Sequence, residues 1–153
     1  TEDVAGAVAM AAAAKECLEL DLTAEGMKRM ADRRARWDRG IEDMLELVRP
    51  TVISSTIPQI SSLLMRGLRG DAVADMLDSL GVSVGTGAAC HNRGEARPSH
   101  VLTALGLSRR ESNSAIRASF DCTISSESID RALEALRTAA EALLRAAGSL
   151  SRI

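Results

Sequence analysis

The closing stretch of the chain constrains its fold most. From Ser125 or Ser126 to about Ala147, the residues Ile129, Leu133, Leu136, Ala140, Leu143 and Ala147 recur at helical spacing and form one apolar stripe. Glu127 and Asp130 fall in its first turn, where the helix dipole favours acids. A long helix with a single apolar face has to bury that face against another layer. Short strand patterns upstream supply one. Ile116-Arg117-Ala118-Ser119-Phe120 alternates at period two, so Ile116, Ala118 and Phe120 share a face while Arg117 and Ser119 point to the other. Thr51 to Ser55, Gln59 to Met65 and Val82 to Gly85 read as three further strands.

Helical patterns fill the rest. Val4 to about Leu20 is Ala-rich and apolar on most faces until Lys15, which predicts a helix packed on several sides. Thr23 is a candidate N-cap for a second helix, about Ala24 to Val48, with Met27, Met30, Trp37, Ile41, Met44 and Val48 on its stripe. The acids interleaved with its arginines make a solvated face rather than a nucleic-acid surface. Val73, Met76, Leu77 and Leu80 predict a short helix from about Asp71 that Gly81 ends. Ser99 to Leu105 and Ser108 to Ser114 read as two more, divided by Gly106. The predicted class is α/β: a two-layer domain whose small sheet carries helices on one face, preceded by a two-helix segment, 1–48, with the small α/β part over 51–147.

Composition narrows the function. At 153 residues and 46% hydrophobic content, the chain holds enough apolar material for one core. A formal charge of −2 offers no attraction for nucleic acid or an anionic membrane. The longest apolar run, Val4 to Ala14, is too short to span a bilayer and lacks the pattern of a signal peptide. Cysteines 17, 90 and 122 match no metal-ligand spacing and leave an odd thiol, which points to a reducing compartment, the cytoplasm or an organelle matrix. One Trp, one Phe and no Tyr leave little for stacking on bases or sugars. Basic charge is nearly all arginine, since Lys15 and Lys28 are the only lysines.

Two groups have the chemistry for a site. Gly81 to Pro98 passes from a strand through Gly85 and Gly87 into Ala88, Ala89 and Cys90, then into a polar loop with a turn signal at Asn92-Arg93-Gly94. A cysteine there is either a reactive thiol or a small buried residue ending a strand, and the flanking Gly, His and Arg argue against burial. His91 stands beside it, although sequence neighbours often point apart. Arg117 is the second group. A guanidinium projecting from a strand either binds a carboxylate through two parallel hydrogen bonds or joins a surface ion pair. His100, at a helix start, reads as a capping or packing residue, and Cys122 as structural.

G-V-S-V-G-T-G-A-A-C-H (Gly81 to His91), P-S-H-V-L-T-A-L-G-L-S (Pro98 to Ser108) and A-I-R-A-S-F (Ala115 to Phe120) together resemble the C-terminal part of cysteine desulfurases and selenocysteine lyases. These are pyridoxal-phosphate enzymes of the class-V aminotransferase superfamily. The opening T-E-D-V-A-G resembles the family's G-T-E-N-V-x-G, and S-S-E-S-I-D-R-A-L-E-A-L resembles its last helix. Leu20 to Leu64 matches only in pattern.

The resemblance implies a role for three residues. Cys90 matches the loop cysteine that takes sulfur as a persulfide or assists selenium removal. Arg117 matches the strand arginine that binds the substrate's α-carboxylate, and Thr1 the threonine that reaches the cofactor phosphate of the other subunit in a homodimer. Implied partners are L-cysteine or L-selenocysteine and a protein that accepts the sulfur or selenium, with neither nucleic acid nor membrane among them. Asp3 replaces the family's asparagine, and Asp121-Cys122 its usual Gly-Arg. The family's cofactor lysine, in a Ser-x-His-Lys segment, has no counterpart here. The expectation is therefore the small C-terminal domain of such an enzyme, inactive alone. A stand-alone subunit carrying a persulfide on Cys90 is the alternative, and a dimerisation module with an idle cysteine a weaker third.

Overall fold

The computed structural model describes the whole chain except residues 1, 21, 52–56, 87–98, 122 and 151–153. Six helices and four strands are present among the described residues, in the order α1 (Val4–Leu20), α2 (Ala24–Glu42), β1 (Val48–Pro50), β2 (Ile60–Met65), α3 (Gly70–Ser79), β3 (Gly85–Thr86), α4 (His100–Ala104), α5 (Arg109–Asn113), β4 (Ala115–Ser119) and α6 (Ser126–Leu150). The strands form one antiparallel sheet in the order β1-β2-β4-β3. The expected mixed α/β class with a small sheet is what the chain adopts.

The alternating pattern of β4 sorts the two faces. Ile116 and Ala118 are buried while Arg117 and Ser119 are exposed. Leu63 and Met65 of β2 and Val48 of β1 join the buried side, where Trp37 and Ile41 of α2, Val73 and Leu77 of α3, and Ile129, Leu136 and Ala140 of α6 complete the core. Trp37 links α2 to the sheet twice. Its Nε1 donates to Ser61 Oγ at 2.9 Å, and its ring meets Phe120 edge-on with centroids 5.2 Å apart. Arg36 reaches Asp130 of α6 through two bonds of 2.6 Å, and Lys28 and Arg34 find Asp32 and Asp38 on their own helix, as the interleaved charges predicted. A smaller cluster on the opposite face joins Leu64 and Ala115 to Leu102 of α4, with Leu107 packed on it. Among the described residues, one face thus carries α2, α3 and α6 and the other this shorter covering.

Helix ends follow local hydrogen bonding. Thr23 accepts from the Gly26 amide at 3.0 Å, and Ser125 rather than Ser126 caps α6, accepting from the Ser128 amide at 3.1 Å. After α3, the Gly81 amide returns to the Asp78 carbonyl and the Val82 amide to that of Leu77, both at 2.9 Å, with Gly81 at a φ of 78°. This paired closure needs a left-handed residue, which glycine supplies without steric cost.

Four expectations are corrected. The second helix stops at Glu42, not Val48: residues 43–47 turn, and Val48 pairs with Met65 in β1. Met44 and Val48 remain buried, so burial kept the helical spacing after the helix itself had ended. The first strand therefore precedes the predicted Thr51 to Ser55, of which 52–55 lie outside the described residues. It closes on Pro50, which lacks an amide donor and suits an edge strand. The strand predicted at Val82 to Gly85 pairs only at Gly85 and Thr86, because the Val82 amide is committed to capping α3. Finally, no residue of α1 is buried, and Val8 is 65% and Met10 75% exposed. Apolar residues distributed all round give α1 no single seam, while the stripes of α2, α3 and α6 already bury one another against the sheet.

Candidate functional site

Arg117 lies in the middle of β4, on the face turned away from the core. Its neighbours across the sheet are Ser62 of β2 and Gly85 of β3, so it sits between two strands rather than on an edge. A Cβ built on Gly85 would lie 3.4 Å from Arg117 Nη2, 3.6 Å from Nε and 3.7 Å from Cζ. These near-equal distances place the guanidinium over Gly85, in space that a side chain larger than alanine's would invade. Sequence reasoning treated Gly85 as a strand end and turn signal, with no link to Arg117. Its function as a bed for Arg117 depends on strand pairing, which no local pattern reports.

The partners of Arg117 are as telling as its position. Arg34, Arg36, Arg49 and Arg69 each hold a carboxylate. Among the described residues Arg117 makes no ion pair. An exposed, planar cation of this kind has the geometry to take a carboxylate through two parallel hydrogen bonds.

Cys90, His91, Thr1 and Cys122 lie outside the described residues. In sequence, β3 ends at Thr86, four residues before Cys90, so the strand that beds Arg117 leads directly into the cysteine segment. His100 is the exposed first residue of α4, but Ser99 caps that helix, accepting from the Leu102 amide at 3.4 Å. His100 is therefore neither cap nor core. Three or more metal-ligating side chains come together nowhere among the described residues. No described helix is long and apolar enough to cross a membrane.

The substituted positions have local explanations. Asp3 Oδ1 accepts from the Gly6 amide at 2.9 Å, a bond that an asparagine oxygen makes equally well at a helix start. Asp121 Oδ1 accepts from the Thr123 hydroxyl at 2.7 Å and from the amides of Thr123 and Ile124 at 2.8 and 2.9 Å. The Thr123 hydroxyl bond is the main cause holding the Asp121 carboxyl below its usual range, against the opposing effect of burial. Asp121 thus builds the turn that joins β4 to α6.

The family described as aminotransferase class-V matches residues 1–132. An IscS-like cysteine desulfurase of Mycobacterium tuberculosis is 33% identical over 96% of this chain and 37% of its own length. A cysteine desulfurase IscS of Clostridium botulinum is 31% identical over 89% of this chain and 34% of its own. The chain therefore spans about a third of the curated relatives it matches. Among solved structures, a NifS-like protein superposes with a TM-score of 0.70 at 27% identity, over 94% of this chain and 34% of that one. A NifS-like protein from Rickettsia africae, at 18% identity and a TM-score of 0.66, shares the fold over 77% of this chain and 30% of its own.

Proposed function

Because the chain belongs to the aminotransferase class-V family, we propose that it is the C-terminal domain of a pyridoxal-phosphate-dependent lyase that removes sulfur from L-cysteine, or selenium from L-selenocysteine, to leave L-alanine. One observation carries this reading: the guanidinium of Arg117, laid over Gly85 on the strand pair that leads in sequence to Cys90 and without an ion pair among the described residues. In this reading residues 1–48 link to a cofactor domain and 51–147 form the small domain, with the stripe of α2 contributing to its core.

The described residues do not fit the cofactor's covalent anchor. Lys15 stands on α1 with its side chain 76% exposed, and Lys28 is held by Asp32 at 2.8 Å on α2. The anchor is therefore assigned to the remaining length of a parent like the relatives, where the group supplies the electron sink that makes the carbon–sulfur bond labile. Thr1 is proposed to reach the cofactor phosphate of the other subunit in a homodimer.

The contribution of this chain is binding and sulfur acceptance. Arg117 takes the α-carboxylate through two N–H···O bonds and so fixes which end of the substrate faces Cys90. The Cys90 thiolate attacks the substrate sulfur, forming a sulfur–sulfur bond as the carbon–sulfur bond breaks. The electron pair of the broken bond stays with the β-carbon, which takes up a proton so that alanine leaves, and the persulfide on Cys90 passes its outer sulfur to an acceptor protein. Selenium removal needs less help from Cys90, because the carbon–selenium bond is weaker.

In the full-length enzyme, Cys90→Ala is expected to lower alanine release from cysteine by about 100-fold or more. Release from selenocysteine should fall less. The 153-residue chain alone, supplied with pyridoxal phosphate, should release no alanine. Wild-type rates in the variant would remove Cys90 from the mechanism, and turnover by the isolated chain would overturn the domain reading.

Gly85→Val tests the bed beneath Arg117. Its γ-methyls enter the space of the guanidinium, while a strand tolerates valine well. We expect KM for cysteine to rise about tenfold, with kcat and the thermal midpoint changing little. Gly85→Ala, whose Cβ makes only ordinary contact at 3.4 Å, should be mild. An unchanged KM in Gly85→Val would mean that the position of Arg117 over Gly85 has no bearing on binding.

A further inference from the structure

A second surface of the molecule is strongly basic, and it shares no residue with the Arg117 site. An open groove of about 740 Å³ runs between the end of β1, the loop from β2 to α3, and α5. Arg49, Arg66, Arg69, Arg109 and Arg110 line it, against the single carboxylate of Glu111. In a chain whose formal charge is −2, this is a pronounced local reversal of sign.

The fold maintains that reversal. Glu111 accepts from the Ser108 amide at 2.9 Å and from its hydroxyl at 2.7 Å, and Arg49 Nη2 donates to it at 2.8 Å. Those bonds, the Ser108 amide first, hold its carboxyl below the usual range, so the one acid in the groove is ionised and already committed. Arg69 is paired by Asp71, and Arg66 uses Nε on the Leu45 carbonyl at 2.8 Å. Arg110 is exposed and makes no ion pair among the described residues. Part of the positive charge is therefore left unanswered. Half-buried Leu68, which packs against the main core, also lines the groove and gives it an apolar residue.

We propose that this groove binds an acidic segment of a protein partner, with Arg66 and Arg110 pairing its carboxylates and Leu68 receiving an apolar side chain. The arginines come from three separate elements, the end of β1, the loop from β2 to α3, and α5, and several cations along one groove suit a row of carboxylates. Nucleic acid fits less well. Trp37 is 3% exposed and Phe120 packs against it, so no aromatic platform is available for a base. The proposal stands apart from the assigned reaction.

The probe is a fluorescein-labelled peptide of about twelve residues in which glutamates alternate with leucines, since a groove of this kind reads side chains along one face. Anisotropy with the full chain should show binding that weakens as salt is raised. The Arg66→Glu/Arg110→Glu pair should lose about tenfold in affinity, and Arg110→Gln alone less, in the same direction. Arg39→Glu/Arg131→Glu makes the same change of charge on α2 and α6, away from the groove, and should bind as wild type. No binding by the wild-type chain, an equal loss in both pairs, or single-stranded DNA of matched charge binding as tightly as the peptide would each overturn the proposal.

Discussion

Arg117→Ala should lower kcat/KM for cysteine by about 100-fold, because it deletes two charge-assisted hydrogen bonds to one carboxylate, each worth about tenfold at a partly solvated site. Most of the loss should appear in KM, since the carboxylate keeps its charge throughout the reaction and is bound alike in ground and transition states. Arg117→Lys retains the charge but loses the fork and the flat contact with Gly85, so a loss of about tenfold is expected. Neither change should disturb the fold, because Arg117 is exposed and makes no ion pair among the described residues. The measurement is steady-state alanine release from the full-length enzyme across cysteine concentrations. A wild-type KM in Arg117→Ala would refute the carboxylate role directly.

Trp37→Ala should be the most damaging change to stability. The side chain is 3% exposed, lies where α2 crosses the sheet, and packs edge-on against Phe120. Emptying such a site costs about 3–5 kcal/mol, a large share of an ordinary domain's stability. The substitution also leaves the buried Ser61 hydroxyl without the indole N–H that now donates to it at 2.9 Å. Trp37→Phe separates the two effects. It retains most of the packing and loses the hydrogen bond, so about 1–3 kcal/mol is expected. Urea denaturation followed by circular dichroism measures both. A midpoint for Trp37→Ala matching that of Trp37→Phe would mean that the cavity relaxes fully and that the hydrogen bond, not the packing, sets the cost.

Much of the secondary structure was legible because each element carries its own local signal. The span of α1 and the cap at Thr23 were readable from a few adjacent residues, as were the end of α3 at Gly81 and the outward direction of Arg117. The misreadings fall where one pattern serves two structures. Met44 and Val48 continue the spacing of the α2 stripe, yet they belong to a turn and a strand that face the same core. Val82 has the composition of a strand residue, but its amide closes the preceding helix. The apolar surface of α1 predicted burial, and periodicity alone cannot show whether another element lies opposite.

The sequence by itself determined the class of fold, the faces of its strands and helices, and, through motif order and spacing, the family and the candidate residues Cys90 and Arg117. Only the tertiary structure decided what lies beside Arg117. The order β1-β2-β4-β3 puts Gly85 under a guanidinium 32 positions later in the chain. It also gathers Arg49, Arg66 and Arg110 from separate segments into one groove. The physical reason is range. Periodicity and capping act over a few residues, where backbone geometry limits the choices, whereas strand order and charge clustering come from packing among distant segments that no local pattern encodes.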